Sequence, residues 1–181
     1  GGNAVRAGDI GYRYVVQTLQ DRGASDVLFD MNSRYDVPGY GYQIAMGETA
    51  LAESWQSRDY LSHNHCMLGH LYSWLFSGIG GISQESGSTA YKRIVIDPQI
   101  VGDLRDARVS FRSPYGLIRS EWKDAPDEFV QTIEIPANAT ARICLPATDP
   151  AKVTESGKPV SGRKDMAVES GTDGRIELHV G

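Results

Sequence analysis

The hydrophobic period of this chain changes once, near residue 90, and that change limits its fold more than any other feature. Before it, apolar residues recur at helical spacing. Tyr12, Val15, Val16 and Leu19 fall at i, i+3, i+4 and i+7, and Gly23 stands where a helix C-cap belongs. After Tyr91 the period becomes two, as in strands that bury one face. The chain therefore reads as α first and all-β second. Residues 1–88 form a helical part and residues 89–181 an antiparallel β-sandwich.

Within the helical part a second short helix is predicted from Asp26 to Met31, capped by Ser25 or Asp26. "RYDVPGYGYQ" breaks the pattern with Pro38, Gly39 and Gly41 and puts Tyr40 and Tyr42 on a glycine-rich turn. A helix restarts near Gly47 and carries Leu51 and Trp55. Another runs from about Asn64 to Phe76, with Met67, Leu68, Leu71, Trp74 and Leu75 inward, and "SGIGGIS" ends it. In the β part "RIVIDP" is a strand. "ARVSFRSPYGLIRSEWK" is a hairpin turning at Pro114-Tyr115-Gly116, and "EFVQTIEIPANATARICLP" a hairpin turning at Pro136–Ala139. "KVTESGKPV" turns at Ser156-Gly157, and "MAVES" and "RIELHV" close the sandwich. Asn138-Ala139-Thr140 matches a glycosylation acceptor, but Asn is favoured in such a turn anyway.

Composition narrows the partners. With 40% hydrophobic and 23% charged residues the 181-residue chain has an ordinary globular balance. A net charge of −5 and no basic stripe argue against nucleic acid. The apolar runs fall far short of the roughly 20 residues a membrane helix needs. Two cysteines, Cys66 and Cys144, with no CxxC, argue against a structural zinc and a disulfide framework. No cofactor is expected. The chain opens on Gly1 rather than Met, and we read it as a piece of a longer protein.

The densest chemistry lies in "GETALAESWQSRDYLSHNHCMLGHLYSWLF", from Gly47 to Phe76. A carboxylate beside a tryptophan suits sugar chemistry, because the ring covers an apolar sugar face while the carboxylate works on a water or a proton. Glu53 and Trp55 have that arrangement. On spacing alone, a solvated helix glutamate near a core tryptophan is the stronger reading. Glu48 is five positions away, off the same helical face, and reads as a glutamate at a helix N-terminus. His63, His65 and His70 invite a metal, but HxH without a carboxylate at the usual spacing is a weak motif. Asn64 can cap a helix, and a first-turn histidine can be solvated or can donate to a ligand hydroxyl. Tyr40 and Tyr42 can line a cleft or cover a core.

Four segments in this order, "GDIGYRYVVQTLQDRGASDVLFDM", "VPGYGYQIAMGETALAESW", "SHNHCMLGHLYSWLFSGIGGI" and "YKRIVIDP", resemble the C-terminal part of bacterial α-L-rhamnosidases, glycoside hydrolase family 78. "SPYGLIRSEW" and "IEIPANATARICLP" resemble that family's last β-sandwich. The resemblance covers nearly the whole chain. It implies the last helices of an (α/α)6 barrel followed by a jelly-roll-like sandwich, and inverting hydrolysis of terminal α-L-rhamnosides. It implies Glu53 as general base, within a Gly47, Thr49, Glu53, Trp55 motif, and Asn64-His65 as the pair whose histidine hydrogen-bonds rhamnose. Trp55, Tyr40 and Tyr42 are the expected aromatic contacts.

The chain departs from the family pattern in three places. Ala52 stands where many members have a Trp, the loop before His65 is short, and Tyr40-Gly41-Tyr42 replaces Trp-Gly-Tyr. The general acid is expected upstream, outside this chain, so the fragment alone is expected to be inactive. Its expected partners are a rhamnose-containing glycan or glycoside and the upstream domains of the same polypeptide. The compartment stays open, periplasmic or extracellular being only a guess. Competing readings are a non-catalytic carbohydrate-binding or buttressing module and a glycosidase acting on another sugar.

Overall fold

A computed structural model describes residues 2–171 and 173–181. Its backbone forms two units, one of Gly1–Leu75 with Gln99–Asp103 and one of Phe76–Pro98 with Leu104–Gly181.

The first unit is helical. Helix α1, Asp9–Asp21, buries Tyr12 and Val16, with Val15 and Leu19 half-buried beside them. It ends at Gly23, φ +67°. There the Gly23 N–H donates to the Gln20 carbonyl and the Ala24 N–H to that of Leu19, the paired bonds of a Schellman cap. Helix α2, Ser25–Ser33, has Ala24 at its N-cap position. Ser25 is therefore no cap. Its buried hydroxyl accepts from Trp74 Nε1 at 2.7 Å and bonds Gln99 Oε1. Tyr12 donates to Asn32 Oδ1 at 2.7 Å, and Asn32 Nδ2 to the Leu28 carbonyl. Burial pushes the Tyr12 hydroxyl above its ordinary pKa.

The next stretch differs from the sequence reading. The segment from Tyr40 to Gln43, read as a turn, is the start of a helix, α3, Tyr40–Ala45. Pro38 stands just ahead of it, where proline is tolerated, and a Cβ at Gly41 would collide with the Arg34 carbonyl. Gly47, read as a helix start, is instead a helix end. It has φ +85°. Its N–H donates to the Ile44 carbonyl and that of Glu48 to the Gln43 carbonyl, both at 3.0 Å, the Schellman pattern again. No helix carries Leu51 and Trp55; residues 48–65 are turns and bends.

The helix expected from Asn64 to Phe76 is broken into a 3-10 turn, Cys66–Leu68, and a short α4, Leu71–Trp74. Leu68, Leu71 and Trp74 are buried, whereas Met67 and Leu75 are 46% and 44% exposed. A π-helical turn follows at Leu75–Ile79.

The second unit is a β-sandwich. Its strands are β1 Ile82–Gln84, β2 Arg93–Ile96, β3 Asp106–Ser113, β4 Gly116–Asp124, β5 Phe129–Glu134, β6 Thr140–Leu145, β7 Thr154–Glu155, β8 Lys158–Pro159, β9 Met166–Ser170 and β10 Ile176–Val180. Strand β1 was not expected from the sequence. One sheet has the order β1-β2-β6-β10-β9, another β3-β4-β5, and β7-β8 form a small ribbon. All pairings are antiparallel except β2 with β6, where Ile94 faces Ala141 and Ile96 faces Ile143. Ile82, Ile94, Ile96, Ile118, Ile143 and Ile176 fill the core between the sheets.

The β3–β4 hairpin turns where its sequence predicts, but β5 and β6 are no hairpin. β5 pairs with β4, and β6 with β2 and β10. The Pro136–Ala139 turn therefore crosses from one sheet to the other, with Asn138 at φ +64°.

Candidate active site

Past the cap at Gly47 the chain forms a loop whose two arms pair. The His65 N–H donates to the Leu51 carbonyl at 2.7 Å, and the Glu53 N–H to the Ser62 carbonyl at 2.8 Å. The Ser62 N–H returns to Glu53 Oε2 at 3.1 Å. Glu53 and His65 are thereby held on adjacent arms, although twelve positions separate them in sequence. Glu53 is exposed and His65 half-buried. Glu53 Oε1 has no hydrogen-bond partner among the described residues, so the backbone fixes one oxygen of the carboxylate and leaves the other unpaired there.

A buried amide fixes the Glu53 arm from beneath. Gln43, on α3, is 3% exposed. Its Oε1 accepts from the Ala52 N–H at 3.3 Å and its Nε2 donates to the Ser54 carbonyl at 3.1 Å. The sequence reading passed over Gln43. A polar residue on an aromatic-rich segment just before a helix-ending glycine is the only local hint, and its partners lie nine and eleven positions away, at no regular period.

Glu48 is not at a helix N-terminus. Both of its carboxylate oxygens lie against His63 Nδ1, at 2.7 and 2.8 Å. The Glu48 side chain is 11% exposed and that of His63 41%. The hydrogen bond that His63 donates to Glu48, with smaller contributions from the Arg58 backbone and Asp59, raises the His63 pKa above its usual value. Asn64 is exposed and its N–H donates to Ser62 Oγ at 3.2 Å. It does not cap the following turn, whose N-cap is His65, with no side-chain cap bond.

Trp55 is in the core. It is 6% exposed, and its Nε1 donates to the Ala7 carbonyl at 2.8 Å. Its ring meets Tyr12 edge-on at 5.0 Å and Tyr40 at 5.1 Å, and His70 stands edge-on to Tyr12 at 6.4 Å. With both ring neighbours in place, Trp55 is no free platform for a sugar. The half-buried Tyr40 donates to the Leu68 carbonyl, and burial pushes its hydroxyl up to about 12. Tyr42 is half-buried on the same short helix. The structure thus brings Glu53, Asn64 and His65 onto one loop and places Tyr40 and Trp55 in the aromatic cluster that supports it. Among the described residues no group of three His, Cys, Asp or Glu could hold a metal ion, and no helix is long and apolar enough to cross a membrane.

Two family models match. One, the bacterial alpha-L-rhamnosidase 6 hairpin glycosidase domain, takes residues 1–79, and the other, the bacterial alpha-L-rhamnosidase C-terminal domain, takes residues 81–159. The chain belongs to the bacterial alpha-L-rhamnosidases. The expected fold, barrel helices followed by a β-sandwich, agrees with these matches.

An alpha-L-rhamnosidase of Streptomyces avermitilis is 30% identical over 155 residues, which take in 81% of this chain and 15% of the relative. A solved structure of a Streptomyces avermitilis alpha-L-rhamnosidase, complexed with L-rhamnose, superposes with a TM-score of 0.79 at 27% identity, covering 98% of this chain and 17% of that one. The alpha-L-rhamnosidase of Dictyoglumus thermophilum superposes at 0.82 with 24% identity, covering 99% and 20%, and so speaks for the fold. The chain therefore spans only about 15–20% of the length of these rhamnosidases.

Proposed function

We propose that this chain supplies the general base and part of the sugar contacts of an inverting α-L-rhamnosidase, cleaving terminal α-L-rhamnosides from glycans or glycosides. The observation that carries this reading is the exposed Glu53 carboxylate, fixed by paired loop arms beside His65. Glu53 takes a proton from a water, and the water oxygen attacks the anomeric carbon from the face opposite the leaving group. A general acid on a segment outside this chain protonates the glycosidic oxygen as that bond breaks. An inverting pair stands about 6.5–9.5 Å apart to admit the water.

His65 offers a ring nitrogen to a rhamnose hydroxyl, and Asn64 an amide beside it. Tyr42, half-buried on α3, is the remaining aromatic offered to the sugar, while Tyr40 and Trp55 act by supporting the loop. The ligand class is supported by the L-rhamnose bound in the Streptomyces neighbour. The helical unit, Gly1–Leu75 with Gln99–Asp103, completes the catalytic barrel with upstream helices, and the β-sandwich unit, which already includes β1 at Ile82–Gln84 and so begins ahead of residue 89, forms the C-terminal domain.

The stereochemistry tests the reaction class. When the full-length parent hydrolyses an aryl α-L-rhamnoside, proton NMR of the first product should show the β anomer ahead of mutarotation. First appearance of the α anomer would contradict inversion, and no turnover would point to another sugar or to a binding role.

A further inference from the structure

The arm that carries Glu53 has no helical ladder to hold it, since residues 48–65 are turns and bends. It is held by the pairing with Ser62 on one side and by Gln43 on the other. Gln43 meets Ala52 and Ser54, the residues flanking Glu53, at 3.3 and 3.1 Å. A primary amide suits this task because it accepts from one peptide N–H and donates to one peptide carbonyl, both along the same strip of backbone. The Gln43 carbonyl also accepts the Glu48 N–H at 3.0 Å, so the same residue sets where the arm leaves α3. Gln43 and Ala52 are both buried, and a bond made away from water is expensive to leave unmade.

We propose that Gln43 is a positioning residue for Glu53. Its buried amide sets the direction of the peptide on either side of the base, and so the place where the carboxylate meets its water. The proposal rests on the reading of Glu53 as general base. A shift of about 1 Å in such a group can cost on the order of 10²-fold in rate.

The test uses the full-length parent with an aryl α-L-rhamnoside and compares Gln43→Met, Glu53→Gln and the double variant, with melting temperatures alongside. Gln43→Met keeps the length of the side chain and removes both bonds. It should lower kcat by about 10–10²-fold with KM changed far less. The double variant should be no slower than Glu53→Gln alone, because a positioned group that is already gone cannot be displaced. A fully active Gln43→Met, or losses that multiply in the double variant, would overturn the proposal while leaving Glu53 as base. A fully active Glu53→Gln would overturn the base reading and this proposal together.

Should Gln43→Met not fold, Gln43→Glu decides. Its carboxyl can make both bonds when protonated, but loses the donor to Ser54 when ionised. Its activity relative to wild type should rise as pH falls. A ratio flat with pH would count against the proposal.

Discussion

Glu53 and Ser62 hold each other reciprocally: the Glu53 N–H donates to the Ser62 carbonyl at 2.8 Å, and the Ser62 N–H to Glu53 Oε2 at 3.1 Å. The second bond fixes one oxygen of the carboxylate without covering the other. A hydrogen bond to a charged group contributes about 1.5–3 kcal/mol, enough to select one rotamer of an exposed glutamate. Ser62→Pro removes this donor. Turnover by the full-length parent should fall by about 10-fold or more, with the melting temperature lowered by only a few degrees, because the substitution also removes the Ser62 Oγ that accepts the Asn64 N–H. Unchanged turnover would mean that the bond does not set the working position of the Glu53 carboxylate.

Trp55 separates a core role from a sugar platform. Truncating a buried aromatic costs about 3–5 kcal/mol, and Trp55 packs against Tyr12 and Tyr40. Trp55→Ala should lower the melting temperature of the parent by several degrees. Trp55→Phe keeps a ring but loses the bond to the Ala7 carbonyl, and should cost less, about 1–3 kcal/mol. If Trp55→Ala weakened rhamnose binding with stability intact, the tryptophan would be a ligand contact after all.

The Glu48–His63 pair makes a prediction about pH. Glu48 raises the His63 pKa above its unfolded value. The contribution of the pair is then fully present below the ordinary histidine value, about 6.5, and is lost as pH rises through the higher folded value. The stability difference between wild type and Glu48→Gln should be largest at mildly acid pH and shrink toward alkaline pH. Melting curves of both proteins across that range check it. A difference that grew with pH would contradict the pairing.

In the sandwich, Cys144 should be inert. It is buried on β6, and burial, with the nearby Asp97 carboxylate adding to it, pushes its thiol up to about 11. Iodoacetamide at neutral pH followed by mass spectrometry should leave Cys144 unlabelled until denaturant is added. Rapid labelling of the native protein would show that β6 opens.

Much of the fold could be read from the sequence because its signals are periodic. The Tyr12–Val16 stripe and Gly23 mark α1, and the alternation from Ala107 to Lys123 marks β3 and β4. Failures came where one residue type serves two purposes. A glycine with positive φ ends a helix as readily as it opens a loop, and Gly47 closes α3. The six residues of α3 are too few to show a period, so its glycine-rich start, Tyr40 to Gln43, read as a turn. Pro136–Ala139 has hairpin residues but links strands of different sheets, a choice made by core packing rather than by the turn. At the site, the Glu53 and His65 segments stood out through their residues, whereas Gln43 and the burial of Trp55 depend on contacts between distant segments.

The most direct measurement is the turnover of an aryl α-L-rhamnoside by the full-length parent, wild type against Glu53→Gln. The substitution keeps the shape of the side chain and the acceptor for the Ser62 N–H, and removes the proposed base. A loss of about 10²–10⁴-fold in kcat with the fold intact is expected if Glu53 is the general base. A fully active variant would contradict it and place the base elsewhere.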